Sequence, residues 1–175
     1  MKILVYGFGP YKEWKDNFST KIVKNIRRKN LIRIVFPVEL KKKVYLDKIK
    51  RFRPDIILGI GQDPRPGSNK IRIERRARNA WRYTKKENIK KISKNKPDYF
   101  VNLKLKKSKE AWLCYNASDY ACNFSMYAIM EFIKTKNKNI KHAFFHIPRD
   151  YNLKKAVRFV ESKIDESIKI VSLEK

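Results

Sequence analysis

Three side chains set the chemical possibilities of this 175-residue chain: Cys122, His146 and Glu74. From Tyr120 to Ile133 the residues Met126, Tyr127, Ile129, Met130 and Ile133 recur at helical spacing, so Cys122 is expected at a helix start. There the helix dipole favours the nucleophilic thiolate. His146 falls near the C-terminal end of the apolar run Ala143 to Ile147, read as a strand ended by Pro148. In open α/β sheets that end of the strands is where sites are built. An imidazole placed there can take a thiol proton and return it to a leaving amine. Glu74 follows the alternation Ile71-Arg72-Ile73, and a carboxylate in that position can orient an imidazole ring. Each residue also has a structural alternative. A lone cysteine is often a small buried hydrophobe, a histidine can be satisfied by a local hydrogen bond, and Glu74 can pair with Arg72, Arg75, Arg76 or Arg78. Cys114, inside an apolar strand, reads as packing, and His142, beside Lys141, reads as exposed.

The elements that must position these residues alternate short β-branched runs with amphipathic, lysine-rich stretches, the pattern of one α/β domain over residues 1–175. Lys2 to Phe8 reads as a strand ending in Gly7-Phe8-Gly9-Pro10, Asn17 to Arg28 as a helix, and Leu31 to Phe36 as a second strand closed by Pro37. Val44, Leu46, Ile49 and Phe52 mark another helix. Asp55 to Ile60 is a continuous apolar run typical of a strand buried on both faces, followed by a Gly- and Pro-rich loop from Gly61 to Asn69. Ala111 to Asn116 is strand-like, and Leu153 to Ile164 forms a closing helix with Ala156, Val157, Val160 and Ile164 inward. Between Trp81 and Pro97 the apolar pattern fails and lysines accumulate, which predicts a basic surface arm.

Several of these segments resemble the pyroglutamyl peptidase I family of cysteine peptidases. Gly7-Phe8-Gly9-Pro10-Tyr11 is similar to that family's opening Gly-Phe-x-Pro-Phe, and Pro54-Asp55-Ile56-Ile57 through Gly61-Gln62 to its Pro-Asp-Ile-x-x-x-x-Gly-Gln. Ile73-Glu74-Arg75 with Asn79 resembles the strand of the catalytic glutamate. Tyr120-Ala121-Cys122-Asn123 resembles the nucleophile motif, and Phe145-His146-Ile147-Pro148 the histidine motif, at the family's interval of 24 residues. The resemblance implies a single-domain α/β/α sandwich with a twisted mixed sheet, phosphorylase/hydrolase-like. It implies a Cys122, His146, Glu74 triad that removes N-terminal pyroglutamate from peptides, with no metal or cofactor. Phe8, Tyr11, Gln62, Tyr120 and Ala121 occupy the positions that would hold the lactam ring, and because family members commonly assemble as dimers and tetramers the resemblance makes a homo-oligomer one option, with the oligomeric state left open. The departures fall around the pocket. Lys12-Glu13 and Asp63-Pro64-Arg65-Pro66-Gly67 stand where the family carries Gly-Gly and Gly-Gly-Arg, Asn116 to Asp119 replace a small Thr-Ala-Gly run, and the family's oxyanion arginine falls at Thr84, close to Arg82. A helix between Glu74 and Cys122 is shortened, with Lys104 to Glu110 in its place.

At 42% hydrophobic the chain can build one substantial core, and no apolar run approaches the roughly 20 residues of a membrane helix, so a cytoplasmic protein without membrane association is expected. Two cysteines offer neither a disulfide framework nor a four-ligand zinc pattern. The net charge of +27 is the strongest rival signal, since such a field attracts polyanions whatever the fold. It keeps two other readings open: a homologue that binds blocked peptides without turnover, and a nucleic-acid-associated protein. The basic residues are scattered and no recognisable reading helix or aromatic RNA motif accompanies them, which favours a solvated surface.

Overall fold

The computed structural model describes residues 1–11, 15–65 and 69–174. Its strands and helices follow the sequence periodicities closely. Strand β1 (Ile3–Phe8) is buried along its whole length because it runs between β2 (Leu31–Phe36) and β3 (Ile56–Asp63), parallel to both. Strand β8 (Lys141–Pro148) continues the parallel set beside β3. Beyond it β4 (Ile71–Glu74) pairs antiparallel, and β7 (Ala111–Cys114) lies parallel to β4 at the sheet edge. The sheet order is therefore β2-β1-β3-β8-β4-β7, a mixed sheet. A two-stranded ribbon of β5 (Arg76–Ala77) and β6 (Tyr99–Phe100) stands apart from it.

Successive residues of a strand face opposite sides of the sheet, and two cores result. Val5, Leu58 and Phe145 pack with helices α1 (Phe18–Asn25) and α4 (Leu153–Leu173) on one side. Tyr6, Ile57 and Phe144 pack with α2 (Lys42–Phe52) and α3 (Ala121–Thr135) on the other. This is the α/β/α sandwich that the motifs implied. The N-termini of α1 and α4 are capped by Asn17 and Asn152, whose side chains accept from the amides of Ser19 and Lys155 at 3.1 and 3.0 Å.

Several boundaries differ from the sequence expectation for local reasons. Helix α1 stops before Arg28 because Ile26 turns extended (φ −64°, ψ 120°), and Arg33 Nη2 then takes the Ile26 carbonyl at 2.9 Å. Helix α4 runs nine residues past Ile164, since Ser167 and Val171 continue its buried stripe. Gly61 and Gln62 belong to β3 and not to a loop, because their partners across the ladder are His146 and Ile147. Residues 104–110 form no helix. The lysine-rich stretch after Trp81 lies on the surface around the Asn79 amide, which donates to the carbonyls of Ser93 and Lys96, both at 2.7 Å, and accepts from the amides of Ile92 and Ser93.

Candidate active site

The register of the sheet brings the chemical residues together. Gly61 on β3 is the ladder partner of His146, Arg72 on β4 is its partner on the other side, and Glu74 is diagonal to it, opposite Phe144. His146 Nδ1 and Glu74 Oε1 are 2.7 Å apart, with the carboxylate fully buried. Phe144 presents its ring edgewise to the imidazole, the ring centroids 5.1 Å apart. His146 is thus held by a carboxylate at one nitrogen and by an aromatic ring beneath.

Cys122 arrives from α3. Tyr120 is the extended N-cap residue, so Cys122 is the second residue of the helix, and no side chain caps that terminus. The helix start is pinned by Asn123, whose amide donates to the carbonyls of Arg78 and Ala80 and whose oxygen accepts from the Arg78 amide at 2.8 Å. Ser125 Oγ donates to the Cys122 carbonyl at 2.8 Å and pairs with the Tyr6 hydroxyl at 3.0 Å. Thiol and imidazole meet over Gly61: a Cβ there would lie 2.7 Å from Cys122 Sγ and 2.9 Å from His146 Cδ2. The missing side chain is the space in which they approach.

Electrostatics follow from this packing. Burial alone would lower the basicity of His146, but the Cys122 thiol and the Glu74 carboxylate outweigh it and raise the ring to about 9. Burial would raise Glu74, yet the His146 hydrogen bond and the Arg72 charge hold it below the usual carboxylate range. Cys114 is different: burial pushes its thiol up, and it sits against Arg72 Nη1 at 3.7 Å and beside the Glu74 carboxylate, on the far side of that group from His146's partner Cys122. His142, expected exposed, is fully buried, because it starts the same inward-facing row of β8 that carries Phe144 and His146.

The predicted pocket residues are distributed unevenly. Phe8 is in the core against Tyr6 and Phe144, 2% exposed. Gln62 accepts from the Phe18 amide at 2.8 Å, and Tyr11 is half-buried. Tyr120 and Ala121 flank the nucleophile, with the Arg82 guanidinium over the Tyr120 ring at 5.6 Å and paired with Asp119 at 3.1 Å. Lys12-Glu13 and Pro66-Gly67 lie outside the described residues. The sequence offers Arg72 only as a possible partner for Glu74 and does not mark the room left by the absence of a side chain at Gly61. The first was visible as an arginine inside an otherwise apolar alternating strand.

A family model for pyroglutamyl peptidase matches residues 1–156. The chain belongs to the pyroglutamyl peptidase family. Membership makes it a hydrolase of the cysteine-peptidase kind. Pyrrolidone-carboxylate peptidase 1 of Saccharolobus solfataricus is 32% identical over 171 residues, covering 85% of this chain and 79% of that protein. Among solved structures, pyroglutamyl peptidase I of Bacillus amyloliquefaciens superimposes with a TM-score of 0.74 at 25% identity over 84% of this chain and 81% of that one. A mutant pyrrolidone carboxyl peptidase from the hyperthermophile Pyrococcus furiosus shares the fold over 98% of this chain and 100% of its own, with a TM-score of 0.84 at 23% identity.

Proposed function

We propose that this family member removes N-terminal pyroglutamate from peptides, with Cys122 as nucleophile, His146 as proton shuttle and Glu74 as the group that orients the ring. The observation that carries the reading is the 2.7 Å contact between His146 Nδ1 and Glu74 Oε1, with the Cys122 thiol facing the same ring across Gly61. The Cys122 thiolate adds to the pyroglutamyl carbonyl carbon. The tetrahedral oxyanion is met by backbone N–H groups of the uncapped first turn of α3, a contribution worth about 3 kcal/mol per donor. The C–N bond then breaks as the His146 imidazolium gives its proton to the leaving amine. Water, deprotonated by His146, adds to the thioester and releases pyroglutamate and the thiolate. Tyr120 and Ala121 beside the nucleophile, with Tyr11 and Gln62 near the neighbouring strand ends, line the lactam pocket in this reading, and Phe8 supports it from the core. Self-association is a further part of this proposal.

The test is hydrolysis of a pyroglutamyl-anilide reporter under reducing conditions. Cleavage lost in Cys122→Ser, together with alkylation of Cys122 before the buried Cys114, is the expected outcome. No cleavage by the wild type, or equal alkylation of both thiols, would sink it. Calorimetric binding of pyroglutamate without turnover would select a binding module instead.

A further inference from the structure

Behind the imidazole lies a row of buried charges that the triad alone does not require. Arg72 is 7% exposed, and its guanidinium makes ion-pair contacts with two carboxylates: Nη1 is 3.1 Å from Glu74 Oε1, and Nε, which makes no hydrogen bond, is 3.2 Å from Asp63 Oδ2. Asp63, 1% exposed at the end of β3, is in turn paired with Arg65 at 2.8 Å. Glu74 Oε1 is thus hydrogen-bonded to His146 Nδ1 and ion-paired with Arg72 Nη1, and the Cys114 thiol stands beside the same carboxylate. Read from the surface inward, Arg65, Asp63, Arg72, Glu74 and protonated His146 alternate in sign. Arg72 Nη1 also meets the Asn116 carbonyl at 3.3 Å and Cys114 Sγ at 3.7 Å, so its fork is held from three strands or their ends.

We propose that Arg72, anchored by Asp63, is a positioning residue for the reaction: it fixes the Glu74 carboxylate against His146 and sets the charge that the ring feels. This inference rests on the reading of Cys122, His146 and Glu74 as the catalytic set. The physical argument has two parts. A buried carboxylate bound at one oxygen by a ring nitrogen alone can rotate about its last bond, and a second, charged contact at the same oxygen, from a guanidinium that also pairs with Asp63, restricts that rotation. A positive charge behind Glu74 also offsets part of the carboxylate's pull on the proton of His146, so the imidazolium can release it to a leaving amine. The charged and titratable groups around the ring are Cys122 from α3, Arg72 and Glu74 from β4, Asp63 from the end of β3, and Cys114 from β7 beyond Glu74.

A charge-sign series tests it. The chain has two histidines, so nitrogen-labelled histidine gives two ring systems, of which the buried His142 is the reference. In the resting protein Arg72→Gln is expected to move the His146 titration upward by about one unit, and Asp63→Asn to move it downward. Arg72→Lys, which keeps the charge and loses the fork, is expected to leave it near the wild-type position. With the reporter, Arg72→Gln and Arg72→Lys are both expected to lose on the order of 10- to 100-fold in kcat with KM little changed. If Arg72→Gln does not fold, Asp63→Asn and Arg72→Lys still decide the matter. A titration unmoved by the charge-changing variants, or a change in KM alone, would overturn the inference. An intact series with no reporter cleavage by the wild type would instead overturn the functional reading and leave Arg72's hold on the ring standing.

Discussion

At the scale of single residues, the site depends as much on an atom that is missing as on those present. Gly61→Ala places a methyl carbon 2.7 Å from Cys122 Sγ, 2.9 Å from His146 Cδ2 and 3.0 Å from Phe144 Cζ, so thiol and ring must part. Reporter turnover is expected to fall by about 100-fold, the usual loss for a misplacement near 1 Å, with the fold retained by circular dichroism. Gly59→Ala makes the complementary error. Its methyl would sit 2.4 Å from Phe144 Cδ2 and 2.6 Å from the Tyr6 ring, inside the core, so it is expected to destabilise by about 1–3 kcal/mol. Equal effects of the two variants on melting temperature would contradict this division. The pH profile belongs to this scale too. The folded state raises His146 to about 9, so its contribution to stability is complete below about 6.5 and is lost as pH rises through about 9.

At the scale of elements, β8 carries two histidines on the same inward face with opposite fates. His146, at the C-terminal end, finds Glu74 because β4 runs antiparallel beside it. His142, at the N-terminal end, is fully buried and neither ring nitrogen has a hydrogen-bond partner. Burial lowers it to about 3, so the folded chain refuses a proton that the unfolded chain accepts near 6.5. The sign is therefore acid lability: stability is complete above about 6.5 and declines toward lower pH by up to about 1.4 kcal/mol per unit. His142→Leu is expected to remove this component, so that the variant gains on the wild type in urea midpoint between pH 7.5 and pH 5. Parallel midpoints for the two proteins would show that His142 does not resist protonation.

At the scale of the whole molecule the excess of positive charge remains on the surface, for the buried ions are mutually paired. The stretch from residue 81 to 97 is the clearest case, with Lys85, Lys86, Lys90, Lys91, Lys94 and Lys96 exposed against one acid, Glu87. At +27 overall, heparin or a labelled duplex is expected to be retained at low salt and released steeply as salt rises, with no preference among base sequences. No retention even at low salt would show that the charge is dispersed too thinly to act as a field.

Strand and helix positions, the two apolar faces and the candidacy of Cys122, His146 and Glu74 were readable from the chain, because hydrophobic periodicity and turn chemistry are local properties and a motif interval is visible in one dimension. Partnership was not readable. That Glu74 stands diagonal to His146, that Arg72 and Asp63 back it, that Gly61 makes room for the thiol and that His142 is buried all depend on strand order and register. A slip of one residue between β4 and β8 would turn Arg72 and Glu74 to the opposite face of the sheet. The sequence determined which groups are available for chemistry; tertiary packing decided which of them touch, because non-local ladder pairing, and not local propensity, sets which side chains share a face.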